Sequence, residues 1–196
     1  MAIIQMITVM KKDNKTMMKL VVGTEAMFFI SLIMAFVYMA YNSGFEPYEV
    51  KALDIKTTGI FTVLLLSSSF TFWRAEKNYE KGKIKKLKIW LIATIVLGTV
   101  FLFGQGKEYW RLVQDNITLN GSVFGTSFYT LTGFHGFHVF VGLIILMIIL
   151  IMTFLGDFNK KNSTVVSTVG IYWHFVDVVW IFVFTVVYVL PKFTNI

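Results

Sequence analysis

Polar and apolar residues are not interleaved along this chain. The apolar ones run in long blocks, separated by shorter stretches that hold most of the charge. Five blocks approach the roughly 20 predominantly apolar residues that a membrane-spanning helix needs: 17–41, 57–73, 87–105, 124–155 and 164–190. The fourth is longer than a bilayer is thick, so it must tilt or project beyond it. Gly121, Gly125, Gly133, Gly136 and Gly142 lie in or just before its first half, where small residues favour close helix contact. Ser67, Ser68 and Ser69 in the second block read as packing residues with hydroxyls bonded back to their own helix carbonyls. Pro47 falls in a loop and Pro191 at the end of the last block, so the spans are expected to be free of proline breaks. The first ten residues are apolar but too short to span, and the flanks of a signal peptide are missing. The pattern predicts an all-α fold, a polytopic membrane helix bundle with five transmembrane helices and a single membrane domain over 1–196.

Composition agrees. Hydrophobic residues make up 56% of the chain and charged ones 15%, against about 25% charged in soluble domains; mean hydropathy is +0.70. With no cysteine, disulfides, thiolate metal sites and cysteine nucleophiles are excluded. A net charge of +7 is compatible with a nucleic-acid partner, but its distribution points elsewhere. Lys11, Lys12, Lys15 and Lys19, the seven cations of RAEKNYEKGKIKKLK (74–88), and Lys160 and Lys161 fall on one side of the membrane. Lys51, Lys56, Lys107, Arg111 and Lys192 fall on the other. The excess marks the cytoplasmic face, so the N-terminus is cytoplasmic and the C-terminus outside, and no nucleic-acid partner is required. The 74–88 block reads as a cytoplasmic connector, with contact to anionic lipid as a secondary effect. Trp90, Tyr109 and Trp110 lie near predicted span ends, where interfacial aromatics belong.

Ionisable groups interrupt the apolar blocks. Glu25 lies in VVGTEAMFFISLIMAFVYMAY, His135 and His138 in TLTGFHGFHVFVGLIILMII, and His174 with Asp177 in VGIYWHFVDVVWIFVFTVVYVL. Such groups are costly at membrane depth and need a partner or a task. Glu25 must be protonated or paired with a group from another helix, as a structural hydrogen bond or in a proton-handling role. His135 and His138, three apart, share a helix face. With His174, Glu25 and Glu108 they supply the donors of a carboxylate–histidine metal site. Depth counted from the span ends separates them, however, putting Glu25 and His174 nearer the cytoplasmic side and Glu108 with the histidine pair nearer the other. Hydrogen-bonded core histidines are the simpler reading. Axial haem ligation is weakened by Asp177, one turn beyond His174 where a hydrogen-bond partner belongs.

Five segments together resemble subunit III of haem–copper cytochrome c oxidases, in the family's order and at about its spacing: TEAMFFISLIMAFVYMAY, LLLSSSFTFWRAE, TIVLGTVFLFGQGKEYW, GSVFGTSFYTLTGFHGFHVFVG and YWHFVDVVWIFVFTVVY. The resemblance covers residues 17 to 190, and GFHGFHV followed by YWHFVDVVW is its most specific part. It implies an accessory subunit of aerobic respiration with no redox centre or cofactor of its own. Haems and copper are expected in the catalytic subunit I it sits against, beside other oxidase subunits, with structural phospholipid bound. Family members stabilise the complex during turnover and help sustain proton uptake. Glu25 falls on the family's buried helix glutamate, His135 and His138 on the GFHGFHV motif, and His174 and Asp177 on the last one. Longer members have seven helices with lipid in a cleft beside the first two. This chain matches from the third, as five-helix bacterial forms do, which implies a bacterial cell membrane. A flank the longer forms cover is then expected to meet partner helices or lipid.

Three other readings stay open from residues alone: a related accessory protein of nitric oxide reduction, a free-standing membrane metalloenzyme, and a proton or ion channel. The charge asymmetry makes a direct prediction. Single cysteines at Gly82 and Asn195 are expected to label from opposite faces, and labelling of both from the periplasm would contradict the orientation.

Overall fold

The structure, a computed structural model, describes residues 2–43, 45–156 and 164–191; Lys160, Lys161, Lys192 and Asn195 lie outside the described residues. It is helical, with no strand among the described residues. The elements are α1 (Ala2–Ser43), α2 (Pro47–Ala52), α3 (Ile55–Glu80), α4 (Ile84–Gln114), α5 (Val123–Leu155) and α6 (Val165–Phe184), the last running on through a π-helical turn at Thr185–Val189. All but α2 are long and apolar enough to cross a membrane.

The helices overrun the apolar blocks that announced them. The 74–88 stretch, expected as a connector, is helical on both sides of a three-residue turn at 81–83. Lys, Arg and Glu are good helix formers, so the helix continues past the end of the apolar run. Gly82 takes φ 69 in this turn and Gly156 takes φ 90 at the end of α5, left-handed backbone that favours glycine. Pro47 is also corrected. Instead of lying in a loop it opens α2, since proline suits a first helical turn whose N–H has no helical acceptor. Asp54 caps α3 by accepting from the amides of Lys56 and Thr57. The Thr57 hydroxyl, the Thr57 amide and nearby Arg111 hold this carboxyl below its ordinary value of 3.8, against a smaller opposing effect of burial. The cap's stabilisation is therefore complete above that value and lost as pH falls through the lower folded-state one.

Helix α6 is the hub and packs against α1, α3 and α5, while α4 closes the bundle between α3 and α5. The α3 face that meets its neighbours is a heptad-like stripe of Thr58, Thr62, Leu65, Ser68, Phe72, Ala75 and Tyr79, the spacing of left-handed helix packing. Trp173 of α6 is fully enclosed, and glycines make room for it. A Cβ on Gly98 of α4 would come within 3.0 Å of its indole, and one on Gly142 of α5 within 2.8 Å. Gly133 and Gly136, grouped with Gly142 in the sequence, meet only ordinary contacts near 3.8 and 3.9 Å, so the close approach on α5 is local.

The indole of Trp173 also hydrogen-bonds to α3, so it cannot retreat. Gly142→Ala is expected to destabilise the protein by about 1–3 kcal/mol through overpacking. Gly106→Ala, with open space around its Cβ, is expected to be neutral or mildly stabilising, since alanine is the better helix former. Unfolding in mixed micelles measures both.

Candidate functional site

Three hydrogen-bonded groups and one ring without a polar partner hold the ionisable side chains singled out above, Asp177 apart. The first joins α1 to α5. His138 Nε2 lies 3.1 Å from Glu25 Oε2, and His138 Nδ1 lies 2.7 Å from the Phe134 carbonyl. A carbonyl only accepts, so Nδ1 carries a hydrogen. Nε2 then either accepts from a protonated Glu25 or, in the imidazolium, donates to its carboxylate. The Tyr172 hydroxyl donates to the His138 carbonyl at 3.1 Å, and the Phe29 ring lies edge-on to His138. About a third of the Glu25 side chain and 13% of that of His138 are exposed, so the pair sits on a flank rather than in the interior expected for Glu25.

The pairing corrects the division by depth. Counting turns from span ends puts Glu25 and His138 at different levels, but α5 extends over Val123–Leu155 and His138 lies at its middle. In so long a helix, distance from an end is a poor measure of depth.

The second group joins α3 to α6. His174 Nδ1 is 2.5 Å from Ser69 Oγ, and the next serine, Ser68, accepts the Trp173 indole N–H at 3.1 Å. Among the three serines, Ser67 follows expectation and bonds back to the Val63 carbonyl at 2.7 Å. The other two reach across because their positions face α6. Asp177 is buried, and neither of its oxygens has a hydrogen-bond partner, so the expected His174–Asp177 bond is not formed. His174 turns to Ser69 instead.

The third group ties α4 to α3 and to the π-helical turn. Glu108 Oε2 accepts from Thr58 at 2.7 Å and from Tyr188 at 2.9 Å. Arg111 lies 3.4 Å from Glu108 Oε1 and 3.3 Å from Asp54, and donates to the Ala52 carbonyl at 2.9 Å. Tyr109, expected at the interface, turns inward to bond Thr132 at 2.7 Å; Trp110 beside it stays exposed. The isolated ring is His135. It is fully buried, stacked on Trp180 at 4.7 Å with Phe101 and Phe29 at its edges, and neither nitrogen is hydrogen-bonded. It is an aromatic packing residue here, not the hydrogen-bonded core histidine expected. The two histidines share the edge of the Phe29 ring but no polar partner, since His135 stacks on Trp180 of α6 and His138 bonds to Glu25 of α1.

Sequence reasoning missed Thr58, Thr62, Ser68, Ser69 and Tyr188 as joints. The signal was present as hydroxyl residues at helical spacing along one face of α3, opposite a helix rich in Trp, His and Tyr. Among the described residues no three of His, Asp and Glu come together as a metal would require.

Fold and sites together define a multi-pass helical membrane protein whose interior polar groups join its helices. Comparison with known sequences makes the assignment specific. The family Cytochrome c oxidase subunit III matches residues 5–191, and the chain belongs to that family. It is 40% identical over 167 residues to a "Probable cytochrome c oxidase subunit 3" of Nocardia farcinica, covering 85% of this chain and 82% of that one. It is 34% identical to "Cytochrome c oxidase subunit 3" of Corynebacterium diphtheriae, over 96% of this chain and 94% of the other. Against the protein of the same name from Bacillus subtilis it is 34% identical, over 87% and 83%.

Removing Glu108 leaves the buried hydroxyls of Thr58 and Tyr188 without their acceptor. Glu108→Ala is expected to cost about 1–3 kcal/mol for each group left unsatisfied. Glu108→Gln, which keeps an acceptor oxygen, is expected to cost less, as measured by unfolding in mixed micelles.

Proposed function

We propose that this chain is the non-redox accessory subunit III of a bacterial haem–copper terminal oxidase, stabilising the catalytic subunit during turnover and supporting its proton uptake. The observation that carries the reading is the family match over residues 5–191, with relatives named as oxidase subunits aligned over most of both chains. Those names favour the oxidase over nitric oxide reduction. The relatives above are bacterial, which supports placement in a bacterial cell membrane, N-terminus in and C-terminus out by the charge asymmetry.

The partners are the catalytic subunit I, which carries the haems and copper, other oxidase subunits, and membrane phospholipid. Polar groups at membrane depth face protein rather than hydrocarbon, so the flank holding Glu25 and His138 meets a partner helix. Polar contacts between membrane helices contribute about 0.6 kcal/mol each on average, and attachment therefore relies on an extended helix surface. The hydrogen bond between Glu25 and His138, two groups able to exchange protons, is the feature of that flank suited to a proton-related role.

Isolation in mild detergent is expected to recover this chain with a haem-containing catalytic subunit. Oxidase lacking the chain is expected to start at the normal rate and inactivate faster during turnover. Glu25→Gln is expected to spare initial electron transfer and to shorten the active lifetime. Recovery with a nitric oxide reductase, or a chain-free oxidase that keeps full activity through prolonged turnover, would overturn the reading.

A further inference from the structure

Asp177 has no explanation as a joint. It is 2% exposed, and both its oxygens are buried without a hydrogen-bond partner among the described residues, although nearly all buried polar groups in proteins are paired. An ionised carboxylate so enclosed would carry a large desolvation cost, whereas a protonated one would not. Its polar neighbour is Ser69, which bears on Asp177 without reaching hydrogen-bond geometry and is itself bonded to His174. The Glu76 carboxylate, two turns along α3 from Ser69, is near enough to His174 to interact with it electrostatically. Glu76 Oε2 also lies 3.7 Å from the position a Cβ on Gly170 would take, and Gly170 is one turn before His174 on the same face. Glu76 is half-buried and one turn from the charged end of α3, while Ser69 lies about 10 Å deeper at 1.5 Å per residue. The ionisable groups of the other helices packed on α6 are engaged elsewhere: His135 on Trp180, and Glu25 with His138.

We propose that Asp177 is a proton-exchanging carboxylic acid, filled and emptied from the Glu76 end of the bundle through His174 and Ser69. In the filling direction a proton binds His174 Nε2. The Nδ1 proton passes to Ser69 Oγ as the Ser69 hydroxyl proton, after rotation, passes to the Asp177 carboxylate. One proton enters, one O–H bond forms on Asp177, and the imidazole ends neutral; emptying is the reverse. The inference concerns this chain's own residues and holds whichever redox partner it joins.

The test is hydrogen–deuterium exchange followed by infrared spectroscopy on the intact complex in liposomes. A protonated-carboxyl band is expected that Asp177→Asn removes or, if that variant does not assemble, Asp177→Glu shifts. Ser69→Ala is expected to keep the band and slow its exchange by roughly tenfold, the scale of one lost hydrogen bond. His174→Leu is expected to slow it similarly, and Ser69→Thr to restore the rate. Absence of a protonated band assignable to Asp177, or unchanged exchange in Ser69→Ala, overturns the proposal. The readout does not involve oxygen reduction, so its failure is distinct from failure of the oxidase assignment.

Discussion

A bilayer offers no water to a polar side chain, and this architecture answers that constraint along the α3–α6 seam. Successive hydroxyls of α3 meet polar atoms of α6: Ser69 with His174, Ser68 with Trp173, and Thr62 with Trp180 at 2.9 Å. At the far end Glu108 of α4 bridges Thr58 to Tyr188. Each bond is modest by itself, since polar contacts between membrane helices average about 0.6 kcal/mol. Their collective effect is register. A one-residue slip of α6 would leave several donors and acceptors facing hydrocarbon at once.

Packing reinforces the same helix. Helices in lipid associate through close van der Waals contact rather than hydrophobic exclusion, which is why the indole of Trp173 lies against Gly98 and Gly142. Phe72 similarly lies where a Cβ on Gly170 would fall within 2.9 Å of it. The π-helical turn at the end of α6 shifts the helix register locally and brings Tyr188 inward to Glu108. The seam thus ends in a carboxylate held by two hydroxyls and faced by Arg111.

Against this closed seam, the Glu25–His138 pair stands apart. It joins α1 to α5 on a flank and is partly exposed. The closed seam and the partly exposed flank are thus built from different polar groups on different helices.

The sequence by itself determined the five spans and the identities of Glu25, Glu108, His135, His138, His174 and Asp177 as the costly groups. These follow from transfer free energies that depend on residue type and order alone. It did not determine that the 74–88 stretch is helical, because charge marks the end of an apolar run and not of a helix. Partner choice was also beyond it. Helical spacing places Ser67, Ser68 and Ser69 on successive faces, yet whether a hydroxyl bonds back or across depends on what the neighbouring helix presents. For the same reason His174 bonds to Ser69 and not to Asp177, His135 stacks on Trp180, and His138 meets Glu25. Tertiary structure decided these pairings, since each requires two helices to be placed in rotation and depth, and a one-dimensional pattern records neither.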